Sequence, residues 1–290
     1  MVGFPYRWVA SLVCVVIPPI ANDFVAGETP ESALTHVDGV NDRGVAAILN
    51  LLGEHYEDRP PADADADAYV ELAAAIADRG SDACISVKPS QIGLGVGDSV
   101  FRENLARIVD AADCFVWIDM EDHETTDVTL DAFERHARET DGRVGVCVQA
   151  NLKRTRDDLE RLADVPGKVR LVKGAYDESA EIAYKKKARV DESYRDLLSF
   201  MFREFDDGVA VGSHDPAMID LARELHDEHG TPYEVQMLMG VRERAQFDLA
   251  EDVEVYQYVP YGSKWFSYFY RRIRERKSNA LFALRAIVGR

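Results

Sequence analysis

Short apolar runs rich in β-branched residues alternate with longer amphipathic stretches along most of the chain, and no Gly/Ser linker or compositional break divides them. A short apolar run suits a strand buried on both faces, and apolar residues at helical spacing suit a helix that covers it. The predicted strands are 44–52 (GVAAILNLL), 83–88 (ACISVK), 114–119 (CFVWID), 144–149 (VGVCVQ), 169–173 (VRLVK), 209–213 (VAVGS), 233–238 (YEVQML) and 253–259 (VEVYQYV). Eight strands with helices between them predict an α/β fold of the TIM-like (βα)8 barrel kind, with an open doubly wound sheet as the alternative. Two helices stand out: 63–78, with an Asp-rich start, and DPAMIDLARELHDEH, which places Pro216 in a first turn behind Asp215.

Such a barrel keeps its chemistry at the C-terminal ends of the strands. Those ends supply Lys88, Asp119 with Glu121, Gln149, Arg170 with Lys173, Ser213 with His214, Gln236, and Tyr258. Arg170 and Lys173 sit in an apolar strand, where an uncompensated charge costs several kcal/mol, so an anion should meet them; a structural pair with Asp119 would serve as well as a ligand. In IDMEDHE, strand alternation predicts Asp119 and Glu121 on one face and Met120 on the other. His214 and Gln149 read equally as strand-end hydrogen bonders and as site residues. The glycines of SQIGLGVGDSVF fall at Gly93, Gly95 and Gly97, with Asp98 where a dinucleotide loop needs its third glycine, so a barrel loop is expected there. The sequence carries no phosphate-binding Walker loop, H-E-x-x-H pair or G-x-S-x-G elbow.

Length and charge refine this picture. The 290 residues, 47% hydrophobic, suffice for one large α/β domain: residues 1–40 read as an N-terminal segment packing on the barrel, and 41–290 as the catalytic domain. With 52 acidic residues against 34 basic ones and a net charge of -18, the surface is unsuited to nucleic acid, which demands a basic footprint. The acidity, with stretches such as PPADADADAYVEL, reads as adaptation to high salt. Cys14, Cys84, Cys114 and Cys147 lie far apart inside apolar runs without metal-ligand spacing, as reduced core residues of a cytoplasmic protein. The apolar run WVASLVCVVIPPIA is too short to span a bilayer and lacks a convincing cleavage site; we expect a packed segment or a start codon placed too early.

Against this background the C-terminal segment is distinct, with eight Lys/Arg and one Glu over residues 264–290. If a helix begins near Ser263, Tyr268, Arg271, Arg272 and Glu275 share one face, and Phe266, Phe269, Tyr270 and Ile273 another. Two adjacent guanidiniums present planar donor forks suited to a carboxylate or phosphate; a basic surface helix on anionic lipid is the alternative.

FVAGE, ISVKPSQIGL, IDMED, VQANLKRT, RLVKGAY, SHDP, QMLMG and YVPYG…YFYRRIRE, in that order from Phe24 to about Asn279, resemble the motifs of the proline dehydrogenase family. The resemblance implies a distorted (βα)8 barrel that holds FAD, with the last helix over the barrel mouth. It implies that Arg271, Arg272 and Lys88 clamp the carboxylate of L-proline while Tyr258 and Leu238 shape the pocket. Asp119 and Arg170 become catalytic residues, and Met120, Gln149, Arg170, Lys173, Gly174, Ala175, Ser213 and His214 become contacts of FAD. No metal is implied. The expected reaction is hydride transfer from proline to flavin, giving 1-pyrroline-5-carboxylate. Electrons pass to a quinone-type acceptor, which implies peripheral association with a membrane, and the product links the enzyme functionally to 1-pyrroline-5-carboxylate dehydrogenase. The sequence departs from the family pattern at Pro89 after Lys88, at Asn151 in QANL where Tyr is common, and at Asp177, where many relatives have Trp. The rival readings are a barrel enzyme acting on another anionic metabolite without flavin, which predicts a colourless protein, and a non-catalytic binding module with its charges outside the barrel mouth.

Overall fold

The computed structural model describes residues 23–265. Eight parallel strands close into a barrel in sequence order: β1 (Ala46–Leu51), β2 (Ala83–Val87), β3 (Val116–Ile118), β4 (Val144–Gln149), β5 (Lys168–Val172), β6 (Val209–Gly212), β7 (Tyr233–Leu238) and β8 (Glu254–Tyr261). Closure comes from β8 pairing with β1, with Tyr258 opposite Ile48. All eight expected strands are present. β3 is shorter than expected because its ladder with β2 runs only from Val116 to Ile118.

Helix α1 (Pro30–Asn41) precedes β1, and α2 (Arg59–Arg79), α3 (Asp98–Ala111), α4 (Thr126–Glu139), α5 (Thr155–Leu162), α6 (Lys187–Glu204), α7 (Pro216–His229) and α8 (Glu243–Leu249) follow β1 to β7 in turn. The helix over the barrel mouth expected after β8, with Arg271 and Arg272, lies outside the described residues. Helix α2 starts at Arg59, earlier than the expected 63, with Pro60 and Pro61 in its first turn and Gly80 in the left-handed region at its end. Proline suits that turn because its missing N–H would have no intrahelical acceptor there. The Asp215 side chain caps α7 by accepting from Ala217 N, and Pro216 opens that helix as expected.

Two apolar layers follow from the closed sheet. Outward-facing strand residues such as Leu49, Ile85, Val146 and Leu171 pack under the helices in the main core. A smaller cluster of Ile48, Cys84, Trp117 and Ala210 fills the barrel interior. Inward positions above it carry polar groups, so the interior changes from apolar plug to charged floor along the barrel axis. The α1 residues Ala33, Leu34, Val37 and Val40 join the main core, and Trp265 packs on Val25 and Leu52. Among the described residues, no helix is long and apolar enough to cross a membrane.

Candidate active site

Ser86 on β2 and Trp117 on β3 face inward, and Lys88 and Asp119, the first residues past those strands, follow them to the C-terminal end of the barrel. Asp119 is the hub. Its Oδ1 accepts from Ser86 Oγ at 2.8 Å and from Arg170 Nη2, and its Oδ2 accepts from Lys88 Nζ at 2.5 Å and from the Tyr258 hydroxyl at 2.8 Å. Burial alone would push this carboxyl up, but Lys88 and Arg170 outweigh it and hold it well below the usual carboxylate range. Burial would likewise discharge Lys88, yet Asp119 and Glu121 keep its amine above the ordinary value.

Arg170 is 4% exposed and lies within 4.9 Å of the Trp117 ring centre and 5.7 Å of that of Tyr258. Its other terminal nitrogen, Nη1, donates to Gln236 Oε1 at 2.9 Å. Gly212 on β6 makes room for it: a Cβ there would stand 2.6 Å from Val172 Cγ1 and 3.2 Å from Arg170 Cγ. Lys88 and Arg170 share the Asp119 carboxylate at a largely buried floor, with the buried Glu121 close enough to act on Lys88. Both cations keep donor groups at this floor that suit an acceptor above them.

The expected shared face of Asp119 and Glu121 is not observed. The β3 ladder ends at Ile118, and beyond it Asp119 and Met120 both line the cavity while Glu121 turns away. Glu121 accepts from Ser90 N at 2.6 Å and Ser90 Oγ at 2.7 Å, which fixes the turn after Lys88 and Pro89. Gln149 is buried with its amide nitrogen on the Glu121 carbonyl at 2.8 Å, outside the cavity lining.

The cavity above the floor has a volume of about 660 Å³. Lys88, Asp119, Met120, Arg170, Leu238 and Tyr258 line it together with Lys173, Gly174, Ala175, Ser213 and His214. Lys173 reaches Asp191 at 2.5 Å and Asp215 at 2.8 Å, so its charge is already paired. His214 Nε2 accepts from the backbone N–H of Leu238 at 2.8 Å. A backbone N–H can only donate, so the neutral ring carries its proton on Nδ1. Gly174 has φ of 102°, and a Cβ there would strike Asn151 Oδ1 at 2.0 Å, so the turn between Lys173 and Ala175 needs glycine. Donors on Lys173, Ser213, His214 and Arg170 surround apolar walls of Met120, Cys147 and Val172. That donor set and that volume fit a flat, acceptor-rich ring system such as a flavin; cofactor pockets typically run to about 300–1,000 Å³.

Sequence reasoning missed Ser86, Asn50, Glu54, Cys147 and Tyr176 as site or lining residues. Ser86 was within reach of the alternation rule, two positions before Lys88. Tyr176 belongs to a loop, for which strand parity carries no signal.

A sequence profile described as "Proline dehydrogenase" matches residues 33–285. The chain is 36% identical over 275 residues to proline dehydrogenase 1 of Bacillus subtilis subsp. natto, covering 92% of this chain and 90% of that protein. It is 36% identical over 280 residues to the proline dehydrogenase of Deinococcus radiodurans, covering 93% and 90%. Among solved structures, proline utilization A of Bdellovibrio bacteriovorus aligns with a TM-score of 0.81 at 22% identity, over 90% of this chain and 33% of that one. Proline utilization A of Corynebacterium freiburgense aligns at 0.77 and 23%, over 90% and 31%. The chain thus spans about a third of those larger proteins, and the likeness to them is one of fold.

Proposed function

Because the chain belongs to the proline dehydrogenase family, we propose that it oxidises L-proline to 1-pyrroline-5-carboxylate with FAD as cofactor. The observation that carries this reading is the cavity floor, where Asp119 holds two cations, Lys88 and Arg170, side by side beneath apolar walls. A proline carboxylate would accept from Lys88, with Arg271 and Arg272, outside the described residues, closing the clamp. Leu238 and Tyr258 would bound the ring, and the Tyr258–Asp119 hydrogen bond keeps that wall fixed.

Held in this way, the substrate turns the ring carbon next to its nitrogen toward Met120, Lys173, Gly174, Ala175, Ser213 and His214, the residues proposed to hold the cofactor beside Arg170, with Gln149 supporting them through Glu121. FAD, when bound, supplies the acceptor for the hydride that leaves this carbon. The amine gives up one proton, its lone pair forms the ring imine, and proline has then lost two hydrogens and two electrons. Asp119 is a poor recipient for the proton, since its carboxyl is held far below neutral, so solvent takes it. Asp119 serves as the anchor that keeps Lys88 and Arg170 charged and in position. Arg170 then faces the negative charge that develops on the far side of the substrate. The electrons pass on to a quinone-type acceptor at a membrane surface, and the imine product to an enzyme that oxidises it further.

Turnover with an artificial electron acceptor tests the reading. Mass spectrometry should find a product lighter than proline by two hydrogens, formed by the purified protein with added FAD. Absence of that product under saturating proline and acceptor would refute it.

A further inference from the structure

Glu234 is a buried carboxylate, 2% exposed, that the proposed reaction leaves without a role. It belongs to the opposite end of the barrel, where with Lys168 it borders a second cavity of about 670 Å³, and it does not line the active-site cavity. Its Oε2 pairs with Lys168 Nζ, and its Oε1 accepts from Gln236 Nε2 at 2.6 Å. Gln236, 4% exposed, passes the contact upward, its Oε1 accepting from Arg170 Nη1 at 2.9 Å.

The chemistry of the three groups fixes the direction of this chain. A carboxylate only accepts, a guanidinium only donates, and the amide between them has one group suited to each. Glu234 therefore turns the nitrogen of Gln236 toward itself and its oxygen toward Arg170; with the amide reversed, two donors would meet at Arg170 and two acceptors at Glu234. Asp119, just past β3, holds Nη2, Gln236 on β7 holds Nη1, and Cys147 on β4 also hydrogen-bonds the Arg170 side chain, so the guanidinium is held from three places around the barrel. Without Gln236, Nη1 loses its amide acceptor and only Asp119 and Cys147 orient the group.

We propose that Glu234 is a positioning residue of the reaction, acting through the amide of Gln236 to lock the guanidinium of Arg170 against the cofactor face of the cavity. This rests on the reading that Arg170 serves FAD-dependent oxidation of proline. Glu234 touches neither substrate nor cofactor; its influence ends at Arg170.

The test compares Gln236→Leu, Glu234→Leu, the double variant and Glu234→Gln, read by kcat, KM, the reduction potential of the bound flavin, and Tm. Gln236→Leu and Glu234→Leu should each lower kcat by roughly tenfold to a hundredfold, the scale of a misplaced catalytic group. KM for proline should stay within about twofold, and the flavin potential should shift in the same direction in both variants. The double variant should be no slower than either single one, because both break one chain. Glu234→Gln, whose amide oxygen still accepts from Gln236, should recover most of the lost kcat. Since Glu234→Leu strands Lys168, Lys168→Met/Glu234→Leu is made beside it and should match it in kcat. Losses that multiply in the double variant, or variants that lower Tm while kcat and potential stay at wild-type values, would overturn the relay. Wild-type protein that binds no flavin would overturn the functional reading and the relay together, whereas normal wild-type turnover with multiplying losses overturns the relay alone.

Discussion

Four donors converge on Asp119, two of them cations, and this convergence fixes what each side chain there can do. Removing the carboxylate strands Lys88 and Arg170 in a buried site, so Asp119→Ala should cost about 3–5 kcal/mol of stability, measured by denaturant unfolding. The Asp119 carboxyl is depressed, so its stabilising contribution is present above the ordinary carboxylate value of about 3.9 and is lost as pH falls through the folded value. Lys88 is raised, so its contribution is present below about 10.4 and is lost as pH rises through the folded value. Both charges persist at neutral pH, and a rise of activity with pH belongs to the substrate amine. Binding of a cyclic carboxylate without that amine should therefore be flat between about pH 6 and about pH 9, in contrast to kcat/KM for proline. Lys88→Met, Arg271→Met and Arg272→Met should each weaken substrate binding by about 2–5 kcal/mol, read as a raised KM with FAD content near normal. The strand-end polar residues were legible because burial of charge among apolar neighbours is visible in sequence. The face of Glu121 was not, because alternation ends with the β3 ladder.

At the scale of elements, β4 and β7 follow the apolar runs at 144–149 and 233–238 without offset, since a continuous apolar run admits little else at that length. Helix α2 departs from expectation in another way. Its Asp63, Asp65 and Asp67 are partners rather than mere solvated charge: Asn104 donates to Asp63 and Arg107 to Asp67 from α3, while Tyr56 and Gln91 donate to Asp65. Composition cannot reveal such pairing, which needs the next helix in place. Helix α7 offers a test, because Asp215 both caps it and pairs with Lys173. Asp215→Ala should lower stability by about 1 kcal/mol through loss of the cap, and Asp215→Asn, which keeps an accepting oxygen, should lower it much less. Equal losses in thermal unfolding would contradict the cap.

For the whole molecule, the eight-strand closure brings Ser86 of β2, Arg170 of β5 and Tyr258 of β8 onto the Asp119 carboxylate, with Gln236 of β7 behind Arg170, which the order of polar strand ends foreshadowed in part. The cross-barrel chain from Glu234 to Arg170 was not legible, because it depends on how far around the closed sheet each strand sits. A net charge of -18 sets a further expectation: raising salt from about 0.1 M to about 1 M shortens the screening length from about 10 Å to about 3 Å, so Tm should rise as self-repulsion is screened. A Tm that falls with salt would contradict a self-repelling acidic surface. The central claim, that this barrel holds FAD beside a floor of Lys88 and Arg170 that binds proline, is tested most directly by an anaerobic absorbance titration of the purified protein with proline. A flavin band that bleaches on adding proline, and that needs far more proline to bleach in Lys88→Met, is the predicted result. A protein without flavin that also fails to take up added FAD, or a bound flavin unchanged by saturating proline, would contradict it.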